Sequence, residues 1–134
     1  RLVASVGRVM YATTVTTDFV AQHYLTVVDG GPESVPHSHH FEVKLTFRGP
    51  ALNEHGYLVD IDDADAALAG VADRYRDALL NDLPEFEGHN PSVERFARVV
   101  FERVTAAVTD DTVRELAVTV WEDDDAAATY DAPV

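Results

Sequence analysis

The chain contains no cysteine, and only one of its ten basic residues is a lysine, Lys44. Without thiols there is no disulfide, no thiolate metal ligand and no cysteine nucleophile. No apolar run reaches the roughly 18 residues that a membrane-spanning helix needs, so we expect no membrane partner. The opening stretch RLVASVGRVMYATTV lacks a basic region followed by a continuous apolar one, which predicts no signal peptide and a cytoplasmic location.

Positive charge is scarce throughout the chain. Asp and Glu number 24 against 10 Lys and Arg, which gives a formal net charge of −14. Nucleic-acid binding requires a basic face, so this composition excludes nucleic acid as a partner. Hydrophobic residues make up 46% of the chain, which favours a folded domain over disorder. We therefore expect a folded domain whose acidic surface suits a high-salt cytoplasm, where screening reduces self-repulsion.

The 134 residues fit a single domain over residues 1–134. Alternating apolar and polar residues predict strands over 18–28, 37–48, 57–61, 113–122 and 126–132. Apolar residues at helical spacing predict a helix over 62–80, and a second helix that begins with Asn90 as its cap and Pro91 as its first residue. We expect an α+β fold, in which an antiparallel sheet of the four strands other than the short 57–61 segment carries two helices on one face.

Residues 37–40 read HSHH, and they place three of the six histidines within four positions. Side chains two apart on a strand share a face, so His37 and His39 lie on the apolar side with Phe41. His23 lies on the apolar face of its own strand, and pairing of the two strands brings the three imidazoles to one end of the core. Three neutral imidazoles with one open position are the ligand set of a catalytic zinc ion.

The ordinary alternative for any one of these histidines is a hydrogen-bonded core or loop residue. We expect that alternative for the remaining three histidines of the chain. His40 lies on the outer face of its strand, while His55 and His89 lie in predicted loops.

Six short motifs carry a resemblance to a known family. They are FVAQHYL at 19–25, HSHHF at 37–41, GYLVDI at 56–61, LN at 80–81, NPSVE at 90–94 and VTVWE at 118–122. In this order and spacing, from about residue 8 to 131, they resemble the 6-pyruvoyl-tetrahydropterin synthase family, which includes the 6-carboxytetrahydropterin synthases. The resemblance implies a tunnelling fold, in which trimers close their sheets into a barrel and two trimers stack into a homohexamer. It also implies a zinc- and pterin-binding site between subunits.

By the same resemblance, His23, His37 and His39 are the zinc ligands and Glu122 holds the pterin ring. A carboxylate suits that role because a pterin presents a ring N–H beside an exocyclic amine, which one carboxylate accepts as a pair. The alternative for Glu122 is a charged strand end in solvent. Two further residues, Ser92 and Glu94, match substrate-binding positions of the family, although they equally suit a helix cap and an acidic first turn.

The chain departs from the family at its catalytic positions. Glu33 stands where the family has a cysteine, and Arg76–Asp77 stands where it has an Asp-His pair. A subgroup of the family carries glutamate at the first position and cleaves the side chain of dihydroneopterin triphosphate to give 6-hydroxymethyl-dihydropterin. The resemblance therefore predicts Glu33 as a general base, and the alternative is an ordinary loop carboxylate near the GGP stretch. Asp77 either relays protons or faces solvent.

Three functions follow from these residues. The first is a zinc-dependent lyase acting on 7,8-dihydroneopterin triphosphate in pterin, folate or queuosine-type biosynthesis. The second is a related enzyme with a different pterin or purine-like substrate, and the third is a zinc- and pterin-binding protein without turnover. A triphosphate also needs nearby positive charge, for which Arg8, Lys44 and Arg48 are candidates.

Overall fold

The structure, a computed structural model, describes residues 10–134 and is built around one antiparallel sheet. Its four strands pair in the order in which they occur along the chain. The elements are β1 (Tyr11–His23), β2 (His37–Gly49), α1 (Ile61–Tyr75), α2 (Val93–Ala107), β3 (Glu115–Trp121) and β4 (Ala127–Pro133). The predicted α+β fold, with a four-stranded antiparallel sheet and two helices, is confirmed.

The helix-facing side of the sheet forms the core. Phe19 of β1 stands opposite Phe41 of β2, and Val43 stands opposite Val120 of β3. Every second residue of β2 from Phe41 to Phe47 is fully buried, which is the alternation that the sequence predicts. Helix α1 packs on β1, and α2 packs on β3 and β4, so both helices cover the same face.

The opposite face of the sheet carries small polar and charged side chains. Thr14 contacts Thr46 across β1 and β2, and Thr119 bonds Thr129 across β3 and β4, at 3.5 and 2.8 Å between hydroxyl oxygens. Lys44 lies between the two threonine pairs, paired in register with Thr119. Side chains on this face are exposed or half-buried, and most of them are polar, with Val20 and Trp121 among the apolar exceptions.

Strand β1 differs from the predicted 18–28 at both ends. It begins at Tyr11 and ends at His23, so it is longer on the N-terminal side and shorter on the C-terminal side. Apolar alternation continues through Leu25 and Val27, yet the hydrogen-bonding partner changes after His23. Tyr24 and Thr26 bond to side chains from the connection between the helices, and Val27 is 49% exposed.

The prediction of a strand over 57–61 is wrong. Leu58 and Val59 are both buried although they are consecutive, so the segment does not alternate, and Asp60 instead caps α1 by accepting from the Asp62 amide. The helix also ends at Tyr75 rather than at residue 80. There Asp77 adopts a left-handed conformation and donates its amide to Val20 O, which turns the chain onto the edge of β1.

Helix α2 begins later than the sequence suggests. The cap is Ser92, whose hydroxyl accepts from the Arg95 amide at 3.1 Å, rather than Asn90 with Pro91 as the first residue. Asn90 is instead directed to the 24–26 segment, where its side-chain oxygen accepts from the Thr26 amide. In the described part of the chain, no helix has the length and apolar character that crossing a membrane requires.

A charged network joins the end of α1 to the connection between the helices. Arg74 donates from Nε and an Nη atom to the two carboxylate oxygens of Glu85 at 2.6 and 2.7 Å, and the Tyr75 hydroxyl donates to the same carboxylate at 2.7 Å. Arg103 of α2 lies 3.7 Å from it. The hydrogen bonds from Arg74 lower the pKa of Glu85 to about 2, whereas burial raises the pKa of Tyr75. The network therefore fixes α1, the connection and α2 to one another.

Candidate metal centre

Three histidines converge at the end of the sheet where β1 finishes and β2 begins. His23 stands opposite His37, and Ala21 stands opposite His39, so one strand supplies one imidazole and its neighbour supplies two. The ring centroids lie 4.6 to 5.1 Å apart. Phe41 lies beneath them, with ring centroids 5.9 Å from His23 and 5.6 Å from His39. Strand register thus produces the cluster that the sequence predicts.

Hydrogen bonds fix the orientation of two of these rings. His23 Nδ1 lies 2.8 Å from Pro91 O, and His37 Nδ1 lies 2.8 Å from Val35 O. A carbonyl oxygen only accepts, so each Nδ1 carries the proton and each Nε2 retains a lone pair. The backbone carbonyls therefore select the tautomer in which Nε2 is free to bind a cation.

The three Nε2 atoms of His23, His37 and His39 are buried and make no hydrogen bond among residues 10–134, although Glu122 Oε1 approaches His39 Nε2 to 3.2 Å. One ligand atom from each histidine lies within 4.8 Å of the other two. Buried polar atoms are nearly always paired, so three unpaired nitrogens at one point indicate a ligand. Tetrahedral zinc places nitrogen ligands roughly 3.3 Å apart, which is of the same order as the separations here. The donor set fits zinc.

Burial lowers the pKa of His23, which is only 2% exposed, and the neighbouring imidazoles lower it further. The bond to Pro91 O and the charge of Glu122 oppose this shift. The net effect favours the neutral imidazole, which is the form that binds a metal ion.

Glu122 lies directly after β3 and reaches the cluster from its edge. Its Oε1 is 3.2 Å from His39 Nε2, and its side chain is 21% exposed. Glu122 does not belong to the group of mutually close ligand atoms. Its carboxylate is thus next to the nitrogens, where it can accept hydrogen bonds from a small molecule held over them.

The two residues predicted to be catalytic, Glu33 and Asp77, lie on turns. Glu33 is exposed in the short 3-10 turn Gly31–Ser34, whose backbone is tied to β1 because the Leu25 amide donates to Glu33 O at 2.7 Å. Asp77 is exposed beside the edge of β1. The structure brings Glu122 against the histidines, whereas the side chains of Glu33 and Asp77 face solvent.

The predicted substrate residues on α2 have local roles as well. The Ser92 hydroxyl caps the helix, and Glu94 is exposed in its acidic first turn. Of the basic candidates for a triphosphate, Lys44 and Arg48 lie on the face of β2 opposite His37 and His39, while Arg8 lies outside the described residues.

His40 and His55 have the surface environments that the sequence predicts. His40 Nε2 lies 2.5 Å from Asp18 Oδ2 on the outer face of the sheet, and His55 lies 3.5 Å from Glu54 in an exposed turn. His89 is exposed and lines a cleft of about 610 Å³ beside Tyr24 and Asn81. None of the three joins the cluster of His23, His37 and His39 among the described residues.

Sequence reasoning missed the groups that hold the cluster in place. Pro91 and Val35 act through backbone carbonyls, which every residue possesses, so no residue type signals them. Asn81 and Asn90 hold the 24–26 segment through their side chains. They fall within two of the quoted motifs, LN and NPSVE, and that position was the only available signal.

Comparison with known proteins identifies one family. The family profile described as 6-pyruvoyl tetrahydropterin synthase matches residues 12–133. No curated protein matches the chain significantly at the level of sequence.

Solved structures with this fold are similar over nearly the whole chain. The 6-pyruvoyl tetrahydropterin synthase of Caenorhabditis elegans has a TM-score of 0.80 at 20% identity, covering 93% of this chain and 97% of its own. The Plasmodium falciparum enzyme has a TM-score of 0.78 at 14% identity, covering 95% and 100%. A Plasmodium vivax enzyme, solved as a variant with its catalytic glutamate replaced by cysteine, has a TM-score of 0.76 at 16% identity, covering 93% and 99%.

Proposed function

Because this chain belongs to the 6-pyruvoyl tetrahydropterin synthase family, we propose that it is a zinc-dependent lyase acting on 7,8-dihydroneopterin triphosphate. The observation that carries the proposal is the convergence of three buried Nε2 atoms, of His23, His37 and His39, that make no hydrogen bond within the described part of the chain. A bound zinc ion supplies Lewis-acid polarisation of oxygen atoms on the substrate side chain. The proposed enzyme is a single tunnelling-fold domain.

Glu122 orients the pterin in this proposal. Its carboxylate lies 3.2 Å from His39 Nε2 at the border of the cluster, and it accepts the ring N–H and the exocyclic amine together. That pairing fixes the plane of the pterin relative to the three histidines. Ser92 and Glu94, at the start of α2, are the further substrate-binding residues proposed from the family pattern.

Glu33 is the proposed general base, which accepts a proton from the side chain of the substrate. The chain has no cysteine to take this role. The Plasmodium vivax relative gives support because a glutamate is described as its catalytic residue. In this chain Glu33 precedes His37 by four residues, and its backbone bonds to Leu25, two residues after His23. The turn that contains Glu33 is therefore held next to the strands that carry His23 and His37. We propose Asp77 as a proton relay, because it stands at the position of the family's histidine.

The second candidate function is a zinc- and pterin-binding protein without turnover. It is favoured by one feature, the replacement of the family's Asp-His pair by Arg76–Asp77, which removes the usual partner of the base. Both candidates require zinc and pterin binding, so turnover distinguishes between them.

We also propose the family's barrel-forming homohexamer. Within residues 10–134, β1 and β4 are the two edges of the sheet, and only the Val20–Gln22 end of β1 bonds to residues 77–79. Exposed edges are normally protected. Pairing of β4 from one copy with β1 of the next covers both edges. Light scattering is expected to give a mass near six times 14.7 kDa, and a monomer would contradict the assembly.

The direct test is to purify the protein, measure bound zinc and incubate it with 7,8-dihydroneopterin triphosphate. Mass spectrometry of the product separates side-chain cleavage to the 6-hydroxymethyl pterin from pyruvoyl or carboxy products. Tight pterin binding without product favours the second function, whereas absence of both zinc and pterin binding rejects the two proposals together.

Replacement of Glu33 by Gln tests the base. Glutamine keeps the size of the side chain but does not accept a proton, so turnover is expected to fall by about 100-fold or more while zinc stays bound. Glu54→Gln, in an exposed turn away from the cluster, is the matched control and should leave turnover unchanged. If Glu33→Gln retains full turnover, another group is the base.

A further inference from the structure

We infer that Asn81 and Asn90 are positioning residues, which hold the 24–26 segment so that His23 presents Nε2 to the metal. The inference deepens the proposed zinc site and rests on it. His23 is the last residue of β1, so nothing in the sheet fixes the chain that follows it. The residues that follow are hydrogen-bonded to two asparagine side chains from the connection between the helices.

Asn81 binds the segment in both directions. The Tyr24 amide donates to Asn81 Oδ1 at 3.0 Å, and Asn81 Nδ2 donates to Tyr24 O at 3.0 Å. This is the pairing that a neighbouring strand would supply, made here by one side chain. Only a primary amide offers a donor and an acceptor in that arrangement, so asparagine is needed and aspartate does not replace it.

Asn90 acts in a different way because it uses its oxygen alone. Its Oδ1 accepts from the Thr26 amide at 2.9 Å and lies 3.4 Å from the Thr26 hydroxyl. The next residue, Pro91, supplies the carbonyl that accepts from His23 Nδ1 at 2.8 Å. Asn90 therefore connects the 24–26 segment to the same stretch of chain that orients the His23 ring.

The 24–26 segment is also hydrogen-bonded to the turn that contains Glu33, the proposed base. Leu25 lies between the two asparagine-bound residues, and its amide donates to Glu33 O at 2.7 Å. Displacement of Tyr24 or Thr26 thus moves both His23 and the Glu33 turn. Groups that hydrogen-bond a metal ligand, as Pro91 O does here, typically change metal affinity or activity by about 10- to 100-fold when they are lost. Asn81 and Asn90 act one bond further out, so we expect an effect at the lower end of that range.

The two asparagines provide a matched pair of substitutions. Asn81→Asp and Asn90→Asp each add one negative charge, so their general electrostatic effects on cation binding are alike. Asn81→Asp loses the donor to Tyr24 O and places a carboxylate oxygen opposite that carbonyl oxygen, so that two acceptors face each other. Asn90→Asp keeps the acceptor for the Thr26 amide. Asn90→Ala removes that acceptor and completes the set.

The measurement is zinc affinity by chelator competition, together with the visible spectrum of the cobalt-substituted protein. Asn81→Asp and Asn90→Ala are expected to bind zinc about 10-fold more weakly and to shift the cobalt spectrum, and Asn90→Asp is expected to stay within about twofold of wild type. If Asn81→Asp does not fold, Asn90→Ala against Asn90→Asp decides the question. Lower thermal stability with unchanged zinc affinity and spectrum overturns the inference, because that is the pattern of a purely structural role.

A second readout needs no metal. In metal-free protein, NMR of the His23 Nδ1 proton reports its bond to Pro91 O, and that signal is expected to shift or broaden in Asn81→Asp and to persist in Asn90→Asp. Equal signals in the two variants overturn the inference. Wild-type protein that binds no zinc but shows the expected difference rejects the proposed zinc site and leaves the positioning role supported.

Discussion

At the scale of single residues, His39 and His40 are neighbours in sequence with opposite environments. His39 faces the cluster with its Nε2 buried, whereas His40 is 66% exposed and pairs with Asp18 on the outer face. We expect His37→Ala to lower zinc affinity by at least about 100-fold, more than loss of an outer partner does, and His40→Ala to leave it unchanged. Zinc content after dialysis, measured by atomic absorption, checks the pair. Full zinc retention in His37→Ala would remove the metal assignment.

Substitution of Glu122 is expected to change pterin binding without changing metal binding. Glutamine at this position keeps the shape but removes the charge, so we expect Glu122→Gln to weaken pterin binding by about 1.5–3 kcal/mol, the scale of hydrogen bonds to charged groups. Zinc content should remain at the wild-type level because Glu122 lies outside the group of close ligand atoms. Calorimetry with a non-reactive pterin measures the affinity, and equal affinities in variant and wild type would exclude the anchoring role.

The histidine cluster is predictable from sequence because two simple rules suffice. Period two places His37 and His39 on one face, and antiparallel pairing with β1 brings His23 opposite His37. The groups that orient these rings are not predictable in the same way. Pro91 and Val35 contribute backbone carbonyls, and their positions depend on how the connection between the helices folds back over the end of the sheet.

At the scale of elements, burial on one face is what makes a segment predictable. Strand β2 alternates from His37 to Gly49 because helices cover one side and no helix of residues 10–134 covers the other, and its predicted limits agree within one residue. Strand β1 ends at His23, although the alternation of apolar and polar residues continues to Val27. After His23 the side chains of Asn81 and Asn90 take the place of a strand partner. Helix α1 likewise ends at Tyr75, where the chain turns to bond with Val20, although the helical spacing continues to Leu79.

The network around Glu85 gives a prediction about how the helices are held together. Glu85→Gln is expected to lower the free energy of unfolding by about 1.5–3 kcal/mol at pH 7, because it weakens charged hydrogen bonds from Arg74 and Tyr75. The pKa of Glu85 is lowered from 4.5 to about 2 in the folded protein, so its contribution is complete above about pH 4.5 and is lost as the pH falls towards 2.

Urea denaturation of wild type and Glu85→Gln between pH 7 and 3 measures this difference, which should shrink below pH 4.5. Glu102→Gln is the matched control, since Glu102 is 64% exposed and its nearest contact to Arg98 is 4.0 Å. We expect that control to change stability by less than about 0.5 kcal/mol. A difference between wild type and Glu85→Gln that grows on acidification would contradict the assigned role of Glu85.

At the scale of the whole molecule, the net charge of −14 acts on every copy and on any assembly of copies. Like charges repel over about 10 Å at 0.1 M salt and over only about 3 Å at 1 M. We therefore expect the melting temperature to rise as sodium chloride increases from 0.1 to about 1 M, and any oligomer to dissociate at the low end. Screening is nearly complete by 1 M, so the rise should level off there. Sucrose at the same osmolality is the control because it stabilises by exclusion without screening. A melting temperature and a mass that do not respond to salt would show that the acidic surface is no adaptation to high salt.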